Sequence, residues 1–471
     1  MTAGSHFSNI VTSAAKGWRE RDSEEGVLSL ALRLQGIDPL HHLPLIAVEN
    51  SFRFLWDGAP GLTIAAAGVC QQLDLVGPRR FAAAQKFADN TLGRITDVNP
   101  EAPAQARPRI MLAFSFFEYT AERLRTEGVP PSVHCVLPRW QLSRQGRFAW
   151  LRLNGVVTQE AEARELAEEL CMMSQCLVNA NSSDLPESFS NGSVPVISSG
   201  TNEWQKCYRP ALARGIELVN TNQLHKLVLA VRQSIELSDS LEPLNLLARL
   251  RSQQAGSCRF LWQQNATEAF FGASPERLLS LRRGRLCSDA LAGTATAFDN
   301  GEELLSSDKD LREHELVVTS IIDQLVAQGI RPFRTRMPQL AKHGRLIHLH
   351  TPITAQADGY KPLGLADALH PTPAVAGLPR KEAMSWLRTL EPFERGGYAG
   401  PIGWIDSSGD CELRVAIRCG NMRGKILDLT AGAGLVRGSL PDKELDEVSL
   451  KLAVLADQFD IKPISSSQSI D

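Results

Sequence analysis

Two stretches of this 471-residue chain place carboxylates where a helix should show hydrocarbon. In residues 304–329, Ser306 or Ser307 is placed to cap a helix and Gly329 to end it. The apolar stripe runs Val317, Ile321, Leu325; one turn back it reaches Glu313, and three residues earlier Asp310. Residues 440–459 follow Ser439 and open with Pro441 near the first positions, both suited to a helix start. There Glu444, Glu447 and Lys451 stand at i, i+3 and i+7 and lead into Val454 and Leu455. A carboxylate on a buried face is costly unless it is paired or holds a cation. Two helices that each turn two acids inward make an oxygen cage for a hard cation, Mg2+ before Ca2+ or Zn2+. The plainer alternative is a solvated charged face with Glu447 and Lys451 as an ordinary i,i+4 pair. The joint occurrence of two such helices favours metal.

Other chemistry is thinner. His348 and His350 share one face of a strand, as zinc ligands could, but no third soft ligand stands at a usual spacing. Residues 432–438 (GAGLVRG) resemble a dinucleotide loop, yet the third glycine is one place late and no βαβ context surrounds it. A nest of backbone N–H groups for an anion fits better, with a plain tight turn as the alternative. Ser274 lacks the Gly-x-Ser-x-Gly elbow, which sets nucleophilic serine chemistry aside.

The elements that must position these groups are strands and helices in mixed order. Residues 52–56, 62–67, 110–117 and 148–153 read as strands and 159–177 as a helix; later 258–262 and the alternating 411–418 are again strand-like. This favours an α+β chain with large antiparallel sheets over repeating βαβ units. A Ser-, Asn-, Gly- and Pro-rich break at 179–202 reads as a surface connection. It divides residues 1–185, the connection 186–202 and a region 203–464, with 465–471 as a disordered tail.

Composition excludes several partners. With 50 Lys+Arg against 53 Asp+Glu and 6% aromatics, there is no basic stripe or stacking platform for nucleic acid. Nine scattered cysteines without Cys-x-x-Cys argue against a disulfide framework or thiolate zinc and for a reducing compartment. No window approaches the ~18 apolar residues of a membrane span, and the first residues lack a signal-peptide pattern. A cytoplasmic protein that meets no membrane, a monomer or weak homodimer, is expected.

An ordered series of motifs carries a resemblance: 225–230 (HKLVLA), 271–279 (FGASPERLL), 290–294 (ALAGT), 312–317 (REHELV), 348–349 (HL), 370–375 (HPTPAV), 398–404 (YAGPIGW), 414–418 (RVAIR) and 431–436 (AGAGLV), closed by Glu444, Glu447 and Lys451. Residues 54–56, 64–68 and 136–140 match more loosely. With these the chain resembles the chorismate-utilising enzymes, and among them the isochorismate synthases. The resemblance implies two large antiparallel sheets packed together with flanking helices, the N-terminal part belonging to the same body. It implies a Mg2+-dependent conversion of chorismate to isochorismate, with water attacking C2 and the C4 hydroxyl leaving.

The family's roles fall on named residues here. Lys226 matches the general base, which needs apolar neighbours to lower its pKa, and Glu276 the general acid, which must be shielded and protonated. Glu313 and Glu447 would hold Mg2+ on the ring carboxylate, with Asp310 and Glu444 as outer or water-mediated ligands. Arg418 would fork onto the pyruvyl carboxylate, helped by Tyr398 and the amides of Gly432 to Gly434. Gly293, Thr294, His348 and Lys451 complete the implied substrate site. Ammonia-using relatives carry glutamine at the position of Lys226, so water is the expected nucleophile. Salicylate synthases share the lysine and go on to release pyruvate, but differ at 371–375. That activity and a non-catalytic chorismate-binding subunit are the alternatives. Val231 and Ala376 depart from common family residues without touching an implied role.

Overall fold

The computed structural model describes residues 3–21, 26–48, 51–58, 61–120, 130–180, 196–198, 201–297 and 301–459. The long strand Val133–Gln145 organises them. One edge pairs along its length with Thr63–Leu75. The other edge is divided, taking Arg109–Phe114 near its start and Phe148–Val156 near its end. Two leaves therefore grow from one strand. The first runs from Val27–Gln35 and Phe148–Val156 through Thr63–Leu75, Arg53–Asp57, Cys258–Gln263, Glu268–Ser274, Cys419–Arg423 and Ile426–Leu435 to Lys226–Leu237. The second continues from Arg109–Phe114 through Pro401–Asp406, Cys411–Val415, Arg277–Arg282 and Arg285–Thr296 to Leu346–Gln356. The α+β class holds, and the two expected sheets are one curled antiparallel network that shares a strand. Among the described residues only Val27–Gln35 with Ile95–Asp97 pairs in parallel. Strands from both halves of the chain alternate, since Arg53–Asp57 pairs with Cys258–Gln263 and Arg109–Phe114 with Pro401–Asp406.

Of the connection expected at 186–202, Val196–Ser198 is a short strand on Lys226–Leu237. Most of the remainder, and the tail 465–471, lie outside the described residues.

Each leaf carries one of the acidic helices. Asp308–Ala327 lies on Arg285–Thr296 and Leu346–Gln356, and Pro441–Ala456 lies on Ile426–Leu435. Ser307 caps the first, its hydroxyl accepting from Asp310 N at 3.3 Å, and Gly329 follows its end at φ +79°. Val317, Val318, Ile321 and Leu325 are buried on its inner face, each contributing about 1.5–3 kcal/mol. The second helix begins at Pro441 as expected, but Ser439 does not cap it; its hydroxyl accepts from Val436 N instead.

The chain crosses between leaves at two neighbouring places, at 275–276 and at 416–418. Ala273 N donates to Arg418 O at 3.0 Å and Val415 N to Glu276 O at 3.1 Å, so the crossings brace each other. The strand expected over 411–418 stops at Val415 because Arg418 is left-handed, with φ +53°. That conformation costs a non-glycine residue about 1–2 kcal/mol, and it turns Arg418 into the space between the leaves.

Candidate active site

The cavity between the leaves is lined by Lys226, Glu276, Gly293, Thr294, Glu313, His348, Tyr398, Arg418, Gly432, Gly434, Glu447 and Lys451. Twelve of the fourteen residues singled out from sequence meet there. Asp310 and Glu444 stand behind it.

Lys226 opens its strand; it and Val228 face the cavity while Leu227 and Leu229 enter the core. Its side chain is 1% exposed, and Nζ lies 2.9 Å from Glu313 Oε1. The apolar surroundings expected for it are thus broken by a carboxylate. Gly434 makes room for that contact, since a Cβ there would stand 2.2 Å from Glu313 Oε1 and 3.2 Å from Lys226 Cε. Within 432–438 the tight turn lies at the end, where Ser439 N donates to Val436 O at 3.0 Å and Gly438 has φ +88°, and no nest is found at 432–434. Gly432 and Gly434 sit inside a strand, opposite Ala230 and Val228, and the extended backbone does not turn its amides toward one point. Gly432 O accepts from Lys451 Nζ at 2.9 Å.

Glu276 is 2% exposed, and Thr372 Oγ1 donates to its Oε1 at 3.4 Å. Burial pushes its carboxyl up to about 8; the charge of Asp289 adds to this, while Lys226, Thr372 and Arg418 oppose it. At neutral pH this group holds a proton it can give away.

Arg418 and His348 form a second unit. His348 Nδ1 lies 3.0 Å from Gly293 O, which can only accept, so Nδ1 carries the hydrogen. Nε2 is left as the acceptor facing Arg418 Nη2 at 3.5 Å. Burial and the Arg418 charge hold His348 well below its usual pKa, in keeping with a neutral ring. Thr294 Oγ1 lies 3.3 Å from the same Nδ1. Gly293 aims its carbonyl from a bulge with φ +69°, and Asp310, half-buried, packs over it. Tyr398 lies beneath the Arg395 guanidinium, 5.7 Å from ring centroid to Cζ. His350 goes elsewhere, to Asp289 at 3.2 Å, so the two histidines do not converge.

The four acids expected as a cage are not gathered on one point: among the described residues no group of three His, Cys, Asp or Glu is close enough to hold a metal. Each of the three glutamates has its own lysine instead. Glu313 has Lys226, Glu447 has Lys451 at 2.5 Å, and Glu444 has Lys309 at 2.8 Å. Burial works against the charge of Glu447, but Lys451 holds it below its usual pKa. Glu444 is raised, by burial and then by the like charge of Glu447. Its Oε2 is buried without a hydrogen-bond partner among the described residues. An all-oxygen donor set with one buried carboxylate oxygen still unpartnered fits a hard divalent cation. Thr372 and Lys309 were not singled out from sequence. Thr372 lies in the 370–375 motif, whereas Lys309, in a first helical turn, reads as a surface residue.

The chain is 38% identical over 253 residues to the salicylate biosynthesis isochorismate synthase of Pseudomonas aeruginosa, covering 51% of this chain and 52% of that protein. It is 35% identical over 259 residues to the isochorismate synthase MenF of Bacillus subtilis, covering 53% and 54%. The chain thus spans about half the length of these curated relatives. The solved structure of MenF, the menaquinone-specific isochorismate synthase from Escherichia coli, shares the fold with a TM-score of 0.73 at 24% identity, over 95% of this chain and 99% of that one. The chorismate binding enzyme family model matches residues 11–460, which takes in both leaves and every cavity residue, and the chain belongs to that family.

Proposed function

We propose that this protein is an isochorismate synthase of the cytoplasm, converting chorismate to isochorismate by adding water at C2 as the C4 hydroxyl leaves. The observation that carries this reading is the pair Lys226 and Glu276 on one cavity, with Glu276 pushed up to about 8. Lys226 Nζ, in its neutral amine form, takes the proton of the attacking water, and Glu276 gives its proton to the departing oxygen. Arg418 binds the enolpyruvyl carboxylate, its guanidinium steadied by neutral His348. Mg2+, held by Glu313 and Glu447 with Glu444 and Asp310 behind them, would supply positive charge to the ring carboxylate. The names of the relatives support the same activity. The test is incubation of the purified chain with chorismate and Mg2+, with the products separated and identified. Isochorismate without released pyruvate is expected. Salicylate with pyruvate would make it a salicylate synthase, and bound but unchanged chorismate would make it a binding subunit.

A further inference from the structure

Lys309 belongs to no role assigned so far. It stands in the first turn of Asp308–Ala327, on the second leaf, and its Nζ reaches Glu444 Oε1 on Pro441–Ala456, on the first leaf. The lysine is 30% exposed while the glutamate is 1% exposed, so the pair runs from the rim to the interior. The charge on Lys309 is favoured by Glu444 and also by Glu313 and Glu447, against the effect of burial. It is the most exposed of the three lysines, at 30% against 12% for Lys451 and 1% for Lys226.

We propose that Lys309 is the built-in counter-cation of the metal site: its ammonium neutralises Glu444, ties the two ligand-bearing helices together, and lowers the intrinsic affinity for Mg2+. This rests on the reading of Glu313 and Glu447 as metal ligands. Asp310, Glu313, Glu444 and Glu447 balance Lys226, Lys309, Lys451 and Arg418 in charge at rest, so a divalent cation alone, or a dianionic substrate alone, leaves an excess charge in a buried site. The two together cancel. Keeping the glutamates neutralised at rest makes metal and substrate favour each other's binding, and Lys309 can set that balance without contacting the reacting atoms.

The test is calorimetric titration of Mg2+ into the metal-free full chain without substrate. Lys309→Met keeps the length and removes the charge, and it should bind Mg2+ about tenfold more tightly, the scale of one partly solvent-screened unit charge. Without metal this variant should melt below the wild type, and Mg2+ should close the gap. Lys309→Arg should match the wild type in both measurements. Equal or weaker Mg2+ binding by Lys309→Met, with binding lost in Glu447→Gln, overturns the role of Lys309 alone. Mg2+ binding indifferent to both substitutions overturns the metal assignment and the proposal with it.

Discussion

Lys226 Nζ lies 2.9 Å from Glu313 Oε1, a contact that joins a strand of one leaf to the helix lying on the other. Both side chains are nearly excluded from water, at 1% and 10% exposure. Removing one partner leaves the other as a buried unpaired charge, at a cost of about 3–5 kcal/mol, whereas apolar replacement of both is close to neutral. Lys226→Met and Glu313→Leu should each lower stability by about that amount in metal-free buffer, and the double variant by much less than their sum. Denaturant unfolding of the four proteins measures the difference.

Metal dependence should be complete. Chelation with EDTA should abolish turnover, and added Mg2+ should restore it. Glu447→Gln should lose activity while circular dichroism remains that of the wild type, because a half-buried side chain on a helix of this length weighs more in the cation's coordination than in the core. Turnover in metal-free buffer would remove Mg2+ from the reaction.

Glu276 should make the protein less stable as pH rises. The folded chain holds the proton up to about 8, while the ordinary value is 4.5. The stability this group contributes is complete below about pH 4.5 and declines up to about pH 8, by about 1.4 kcal/mol per pH unit. Glu276→Gln carries no such titration. It should match the wild type near pH 4.5 and exceed it near pH 8 in melting temperature, while its turnover falls at least ~10²-fold. In the wild type, kcat/KM should decline on the alkaline side as Glu276 ionises.

The inward acids were legible because a helix has a strict period: Val317, Ile321 and Leu325 fix a face, and Glu313 lies on it. Glu276 and Arg418 were legible only through their motifs. Nothing local in the sequence marks 275–276 and 416–418 as crossings between leaves, and the left-handed turn at Arg418 broke an alternation that otherwise reads as one strand. The pair Glu447 and Lys451 was legible from its i,i+4 spacing, but the lysines beside Glu313 and Glu444 were hidden for a related reason. Lys226, Lys309 and Lys451 come from a strand and two helices far apart in sequence, and only the tertiary fold brings the first two to their acids. Gly432 and Gly434 suggested a turn by type, yet their neighbours Ala431, Ala433 and Leu435 pack as a core strand, and burial decided the backbone.

Arg418→Lys should separate charge from shape. Lysine keeps the positive charge but loses the planar fork and the guanidinium nitrogen facing His348 Nε2. Degrading a charge-assisted contact worth ~1.5–3 kcal/mol should lower kcat/KM for chorismate by about tenfold to a few hundredfold at fixed Mg2+. An unchanged value would make Arg418 a structural residue.

Gly434→Ala tests the packing of the site most sharply, because it adds one methyl group and changes no charge. The new Cβ would stand 2.2 Å from Glu313 Oε1, at the far end of a flexible side chain, and 3.2 Å from Lys226 Cε. Glu313 must rotate away, which strains a rotamer by about 0.5–1.5 kcal/mol and parts a buried ion pair at a cost of up to about 3–5 kcal/mol. The same rotation breaks the contact with Lys226 and moves a proposed metal ligand. The variant should therefore melt below the wild type in metal-free buffer, bind Mg2+ more weakly and lose turnover by at least about tenfold, as a misplaced reacting group does. Gly432→Ala is the control. Its Cβ would meet backbone, Leu229 O at 2.9 Å, so the strand pair itself must shift and stability should fall along with activity. If Gly434→Ala keeps wild-type turnover and Mg2+ affinity, Glu313 does not need the position in which the structure holds it.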